Sequence, residues 1–196
     1  MAESLVRSTG IVALSTMLSR ITGFIRDMII ASCFGASGLL DGFFVAFRIP
    51  NLFRRLVGEG ALTISFIPVY TDYLVNLGER DALELAQKTL TILVIALFAI
   101  VGLGVIFSEQ IIAVFAYGFT DPHTIELTVT LNRVMFPYLF LVGIVAFAMG
   151  VLNSHGYFFA PAFSTVLLNA GFIIGALLLG GYFSEPIFGL AIGVII

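Results

Sequence analysis

Four arginines, Arg20, Arg26, Arg54 and Arg55, stand in or beside stretches that are otherwise apolar. A guanidinium is permanently charged and meets phosphate or carboxylate through parallel N–H donors. Arginines held at membrane depth are therefore candidates for capturing an anion, and several together suit a multiply charged one such as a diphosphate. Three carboxylates, Asp27, Asp41 and Glu59, lie near them in sequence. They are candidates to orient the arginines, or to pair with them while the site is empty.

The element that must position Arg20 and Arg26 is the segment STGIVALSTMLSRITGFIRD, residues 8–27. On a helix at about 100° per residue, with Arg20 at zero, Ile11, Leu14, Met17, Leu18, Ile21, Phe24, Ile25 and Met28 fall between roughly 40° and 180°. Ser8, Thr9, Ser15, Thr16, Ser19, Thr22, Gly23, Arg26 and Asp27 share the other half with Arg20, and Val12 is its main apolar intruder. One half suits lipid or packed helices; the other suits water and an anion. A charged side chain facing hydrocarbon costs roughly 2.5–3.5 kcal/mol, so two arginines on one polar half predict a wet cavity inside a bundle. The competing reading is that they snorkel to one interface or pair with Asp27 and Asp41. A second stripe, Asp41, Arg48, Asn51, Arg55 and Glu59, spans about 80° of the next helix. Pro50 predicts a kink there. Taken alone, Arg54 and Arg55 read as ordinary cytoplasmic flanking charges.

Hydrophobic residues make up 60% of the chain and charged residues 11%, with a mean hydropathy of +1.12. A soluble domain carries roughly 25% charged residues, so this is an all-α polytopic membrane protein. Spans are expected at about 9–34, 39–55, 86–107, 124–152 and 158–179, with a sixth beginning at 187 and broken off at 196. A helix cut there could not cross, so a longer parent chain is expected. The connection 56–85 is too apolar for a free loop and too broken by Gly58, Gly60 and Pro68 for a clean span, which predicts a re-entrant or interfacial segment. Its end, ERDALELAQK, reads as a charged helical lead-in. Pro137 predicts a kink in the fourth span, Arg133 is expected to snorkel outward, and Gly171 and Gly175 carry the small-xxx-small spacing of helix packing. Arg7, Arg54, Arg55, Arg80 and Lys88 gather on one side, which places the N-terminus in the cytoplasm.

Other chemistry finds no support. The glycine clusters lack the Lys-Ser or Lys-Thr of a phosphate-binding loop, and no serine sits in a nucleophile elbow. His123 and His155 fall in different loops on opposite faces, which argues against a metal site. Lone Cys33 allows no internal disulfide. The basic residues are too few and too embedded for nucleic acid. No cofactor is implied.

Three stretches, SRITGFIRDMIIASCFG at 19–35, LDGFFVAFRIPNLFRRLVGEGALTISFIPVY at 40–70 and MFPYLFLVGIVAFAMGVLNSHGYFFAPAFSTVLLN at 135–169, resemble the MurJ (MviN) lipid II flippase family of the MOP exporter superfamily. The resemblance implies two six-helix lobes built from repeats, of which this chain is the N-terminal one. It implies alternating access that carries lipid II, the undecaprenyl-diphosphate-linked disaccharide-pentapeptide, across the bacterial inner membrane. It matches essential cavity arginines to Arg20, Arg26, Arg54 and Arg55, matches an essential aspartate to Asp41, and sets Glu59 in the family's GEGA segment. The partners implied are lipid II, membrane lipids and the second lobe of the same full-length chain. Two related readings stand beside it: a MOP-type exporter of another polyprenyl-diphosphate glycolipid, or one of small cations or drugs. Arginines outnumber carboxylates on the first helix, which disfavours cation export. A third reading, a non-transporting scaffold, requires the polar faces to be plugged by side-chain pairing.

Overall fold

The structure is a computed structural model that describes the backbone of residues 2–157 and 159–196, and side chains at 13–57, 60, 62–157 and 163–196. It is all-α, and no strand occurs among the described residues. α1 runs Ala2–Phe34, about 50 Å at 1.5 Å per residue. It stops at Gly35, whose φ of 60° suits the left-handed closing position, with its N–H on the Ala31 carbonyl at 3.0 Å. α2, Gly38–Arg54, starts on Ser37, whose side chain accepts from the Leu40 N–H.

The connection 56–85, expected as a re-entrant or interfacial segment, is helical over most of its length. Beyond Arg54 the chain stays helical, first as a π-helix over Arg55–Phe66 and then as α3, Ile67–Asn76; the reversal comes at Leu77–Gly78. Pro68 lies where the π-helix passes into α3 and does not end the helix. Leu62, Phe66 and Tyr70, four residues apart, bury one face against Ala82, Ala86 and Phe147. That burial outweighs the helix-weakening glycines. Pro50 is likewise buried inside α2 without ending it.

The 79–88 lead-in forms the first turns of α4, Glu79–Ile106, which bends at Phe107 into α5, Ser108–Phe115. Pro137 interrupts the expected fourth span, giving α6, Pro122–Met135, and α7, Tyr138–Ser154. α8, Phe159–Ile174, continues as a π-helical turn, Gly175–Leu179, before a short 3-10 turn and α9, Ile187–Gly193. Among the described residues, three helical stretches are long and apolar enough to cross a membrane: Glu79–Ile106, Pro122–Ser154 and Phe163–Tyr182.

α1 packs chiefly on α8, α2 on α6, and α4 on α7. Ile30, Phe43, Leu131, Met135, Phe172 and Leu190 form the core nearest α1. The expected helix-packing glycines close the α8–α9 seam: Gly171 and Gly175 lie backbone to backbone against Gly189 and Gly193.

Candidate functional site

α1 is two-faced, as its residue pattern requires. Its apolar half is open, with Leu14 70% and Phe24 65% exposed, as expected of a surface that meets lipid. The polar half divides. Ser15 is buried and Ser19, Thr22 and Arg26 turn toward α8, whereas Thr16, Arg20 and Asp27 remain exposed. The expectation that the whole polar half lines water is therefore corrected, because part of it is a packed seam. Asn169 of α8 makes that seam possible by supplying partners for polar groups that would otherwise be buried without them.

Arg26 is the centre of the cluster. Its Nε and Nη2 both donate to Asp27 Oδ1, at 2.9 and 2.7 Å, and its Nη1 donates to Asn169 Oδ1 at 2.9 Å. The guanidinium carbon lies 5.2 Å from the ring centroid of Phe172, within cation–π range. Phe172 meets Phe43 and Phe47 of α2 edge-on, so an aromatic wall joins the arginine to the second helix. Three of the five guanidinium N–H donors are thereby used and two remain. The side chain is 27% exposed and Asp27 65%. This is a cation held in one orientation, with donors left over and an open side.

The other predicted residues are dispersed along α1 and α2. Arg20 is exposed and makes no hydrogen bond or ion pair among the described residues, and the same holds for Arg48, Arg55 and the Asp41 carboxylate. Arg54 donates from Nε to Asn51 Oδ1 at 2.9 Å. The side chain of Glu59 lies outside the described residues. Measured from the turn at 35–37 along each helix's own axis, Arg26 and Arg48 stand about 12 and 15 Å away. Arg20, Arg54 and Arg55 stand about 21–26 Å away along the same axes. Asp27 orients Arg26; Asp41 is about 5 Å along α2 from the turn.

Two contributors escaped the reading of the sequence, Asn169 and Phe172. A signal for the first existed: a lone asparagine inside the apolar run 166–174 must find a polar partner on a neighbouring helix. Arg133 does not stand alone at an interface; its Nη2 pairs with Glu109 Oε1 at 2.8 Å, beside an open cleft of about 430 Å3 between α5 and α6. None of the predicted site residues lines that cleft.

The fold and the site together define an all-α membrane helix bundle with a partly satisfied arginine between its first and eighth helices. The family model described as "Lipid II flippase MurJ" matches residues 30–196. The chain is 39% identical over 194 residues to a probable lipid II flippase MurJ of Buchnera aphidicola subsp. Schizaphis graminum, covering 98% of this chain and 38% of that protein. It is 38% identical over 182 residues to the lipid II flippase MurJ of Burkholderia cenocepacia, covering 92% of this chain and 35% of that one. A solved structure of lipid II flippase MurJ in an inward closed conformation superposes with a TM-score of 0.78 at 30% identity, over 94% of this chain and 39% of its own. The chain belongs to the MurJ lipid II flippase family, and it spans somewhat over a third of the length of these relatives.

Proposed function

We propose that this chain is the N-terminal lobe of a flippase that carries lipid II across the bacterial inner membrane by alternating access, with its N-terminus in the cytoplasm. The relatives are named for lipid II, and the chain shares their sequence across nearly its whole length. The orientation rests on Arg7, Arg54, Arg55, Arg80 and Lys88 lying toward one side. The observation that carries the reading is Arg26. A structural ion pair would use up its partners, whereas this guanidinium keeps two N–H donors and an open side after meeting Asp27 and Asn169.

In this reading Arg26 and Arg20, about 9 Å apart along α1, take the diphosphate in turn or together. Arg54, at the end of α2, and Arg55, at the start of the π-helix, add further positive charge. Asp27 neutralises Arg26 while no substrate is bound and gives way when phosphate oxygens arrive. Asp41 and Glu59 support the cationic wall from α2 and its π-helical extension. The second lobe of the full-length chain supplies the facing half of the cavity.

Replacing Arg26 by Ala in the full-length protein tests the reading by complementation of cell-wall synthesis in cells depleted of their own flippase. Loss of complementation at normal expression is the expected result. Unchanged growth and cell shape would remove Arg26 from the mechanism.

A further inference from the structure

We propose that Asn169 is the positioning residue for Arg26: its neutral amide holds the guanidinium in its binding orientation from the opposite helix without cancelling its charge. The inference rests on the reading of Arg26 as a substrate-binding group.

Asn169 is 2% exposed and uses both ends of its amide. Nδ2 donates to the Ser19 carbonyl and to Thr22 Oγ1, each at 3.1 Å, and Oδ1 accepts from Arg26 Nη1 at 2.9 Å. The orientation of the amide is fixed by its neighbours. The Ser19 carbonyl can only accept and the guanidinium can only donate, so nitrogen must face α1's backbone and oxygen must face Arg26. No other rotation satisfies both. The amide therefore reads the positions of residues 19 and 22 on α1 and sets the arginine one turn further on.

The chemistry of the residue type matters as much as its position. An aspartate here would also accept from Arg26, but together with Asp27 it would put two formal negative charges on one guanidinium and repel an incoming anion. A leucine would fill similar space and hold nothing. Asparagine alone among these fixes the cation and leaves its attraction for phosphate in place. Phe172, one turn later on α8, bounds the same guanidinium by its ring face and leaves the polar restraint to Asn169.

The test is a double-mutant cycle on lipid II binding to the full-length protein in nanodiscs, followed by titration, with Arg26→Ala, Asn169→Leu and the double variant. Each single variant is expected to weaken binding roughly tenfold, as for loss of a hydrogen bond to a charged group. The double variant is expected to bind no more weakly than Arg26→Ala alone, because Asn169 acts only through that arginine. A purely structural role for Asn169 predicts the opposite, a further loss of similar size in the Arg26→Ala background, and that result overturns the inference. Wild-type binding by Asn169→Leu overturns it too. Wild-type binding by Arg26→Ala sinks the functional reading itself, a separate failure recognisable from the one variant. Should Asn169→Leu fail to accumulate, Thr22→Val removes one of the amide's anchors and leaves Arg26 untouched. It is expected to weaken binding about threefold in the presence of Arg26 and not at all in its absence; equal effects in both backgrounds, or none in either, count against the inference.

Discussion

Replacing Gly175 by Ala puts a methyl group into the seam between α8 and α9. The new Cβ would lie 2.5 Å from the Gly189 carbonyl oxygen, 2.9 Å from the Gly193 Cα and 3.1 Å from the Gly193 nitrogen. Ordinary contact begins near 3.4 Å, so the two backbones must part by about 0.9 Å, the difference between 3.4 and 2.5. None of these atoms can swing aside as a flexible side chain would. Overpacking of this kind costs up to about 3 kcal/mol. Alanine returns about 1 kcal/mol of helix propensity relative to glycine, leaving a net loss of about 2 kcal/mol. The comparison is Gly102→Ala on α4, where no heavy atom lies within 4 Å of the added carbon and only the propensity gain applies. Thermal unfolding of the full-length protein in detergent, followed by circular dichroism, should show Gly175→Ala melting several degrees lower and Gly102→Ala melting unchanged or higher. If both alanines shift the midpoint alike, the seam is not held by direct backbone contact and the reasoning fails.

Two further outcomes are expected. The Asp121 carboxylate is held below its ordinary pKa by accepting from the Thr124 hydroxyl and, next, from the Thr124 N–H, so it caps α6 fully above the unfolded value and releases it as pH falls through the lowered one. Protection of the Thr124 amide, taken as its exchange rate relative to the intrinsic rate at each pH, should therefore fall under acid in the wild type, and Asp121→Asn, which keeps an acceptor that does not titrate, should hold that protection constant. Buried Ser108 receives the Asn132 Nδ2 at 2.9 Å and donates to the Gly104 carbonyl at 2.8 Å. Ser108→Ala leaves the Asn132 amide with no partner and should cost about 1–3 kcal/mol in chemical denaturation; adding Asn132→Leu should recover much of it, and a larger loss in the double variant would contradict this account.

The sequence carried the two-faced character of α1 openly, because a 3.6-residue period needs nothing but α1 itself to be seen. What it could not carry was the division of the polar half, since that depends on where α8 lies. Asn169 is separated from Arg26 by 143 positions, and no local pattern links them. The glycine pair at 171 and 175 announced a close helix contact, yet its partners, Gly189 and Gly193, became identifiable only once α9 folded back against it. The helix that continues after Arg55 was not legible for a physical reason: glycines and a proline lower intrinsic helix propensity, but Leu62, Phe66 and Tyr70 recur at a helical spacing and bury together, and packing overrides propensity. The π-helical geometry there has no signature in residue type. Of the cluster around Arg26, the arginine and Asp27 were visible as charges out of place in an apolar stretch, whereas the neutral groups that hold Arg26, an amide and a phenyl ring, looked like any other residues of a buried helix.

The distance in sequence between Arg26 and Asn169 also sets an order of events during biosynthesis. At roughly 5–20 residues per second, the ribosome adds the intervening 143 positions in about 7–30 seconds. For that interval α1 has left the ribosome while its partner helix has not been made. The adjacent aspartate can shield the guanidinium then, because it needs no loop closure. Asp27 is thus within reach of the arginine from the start, well before Asn169 exists.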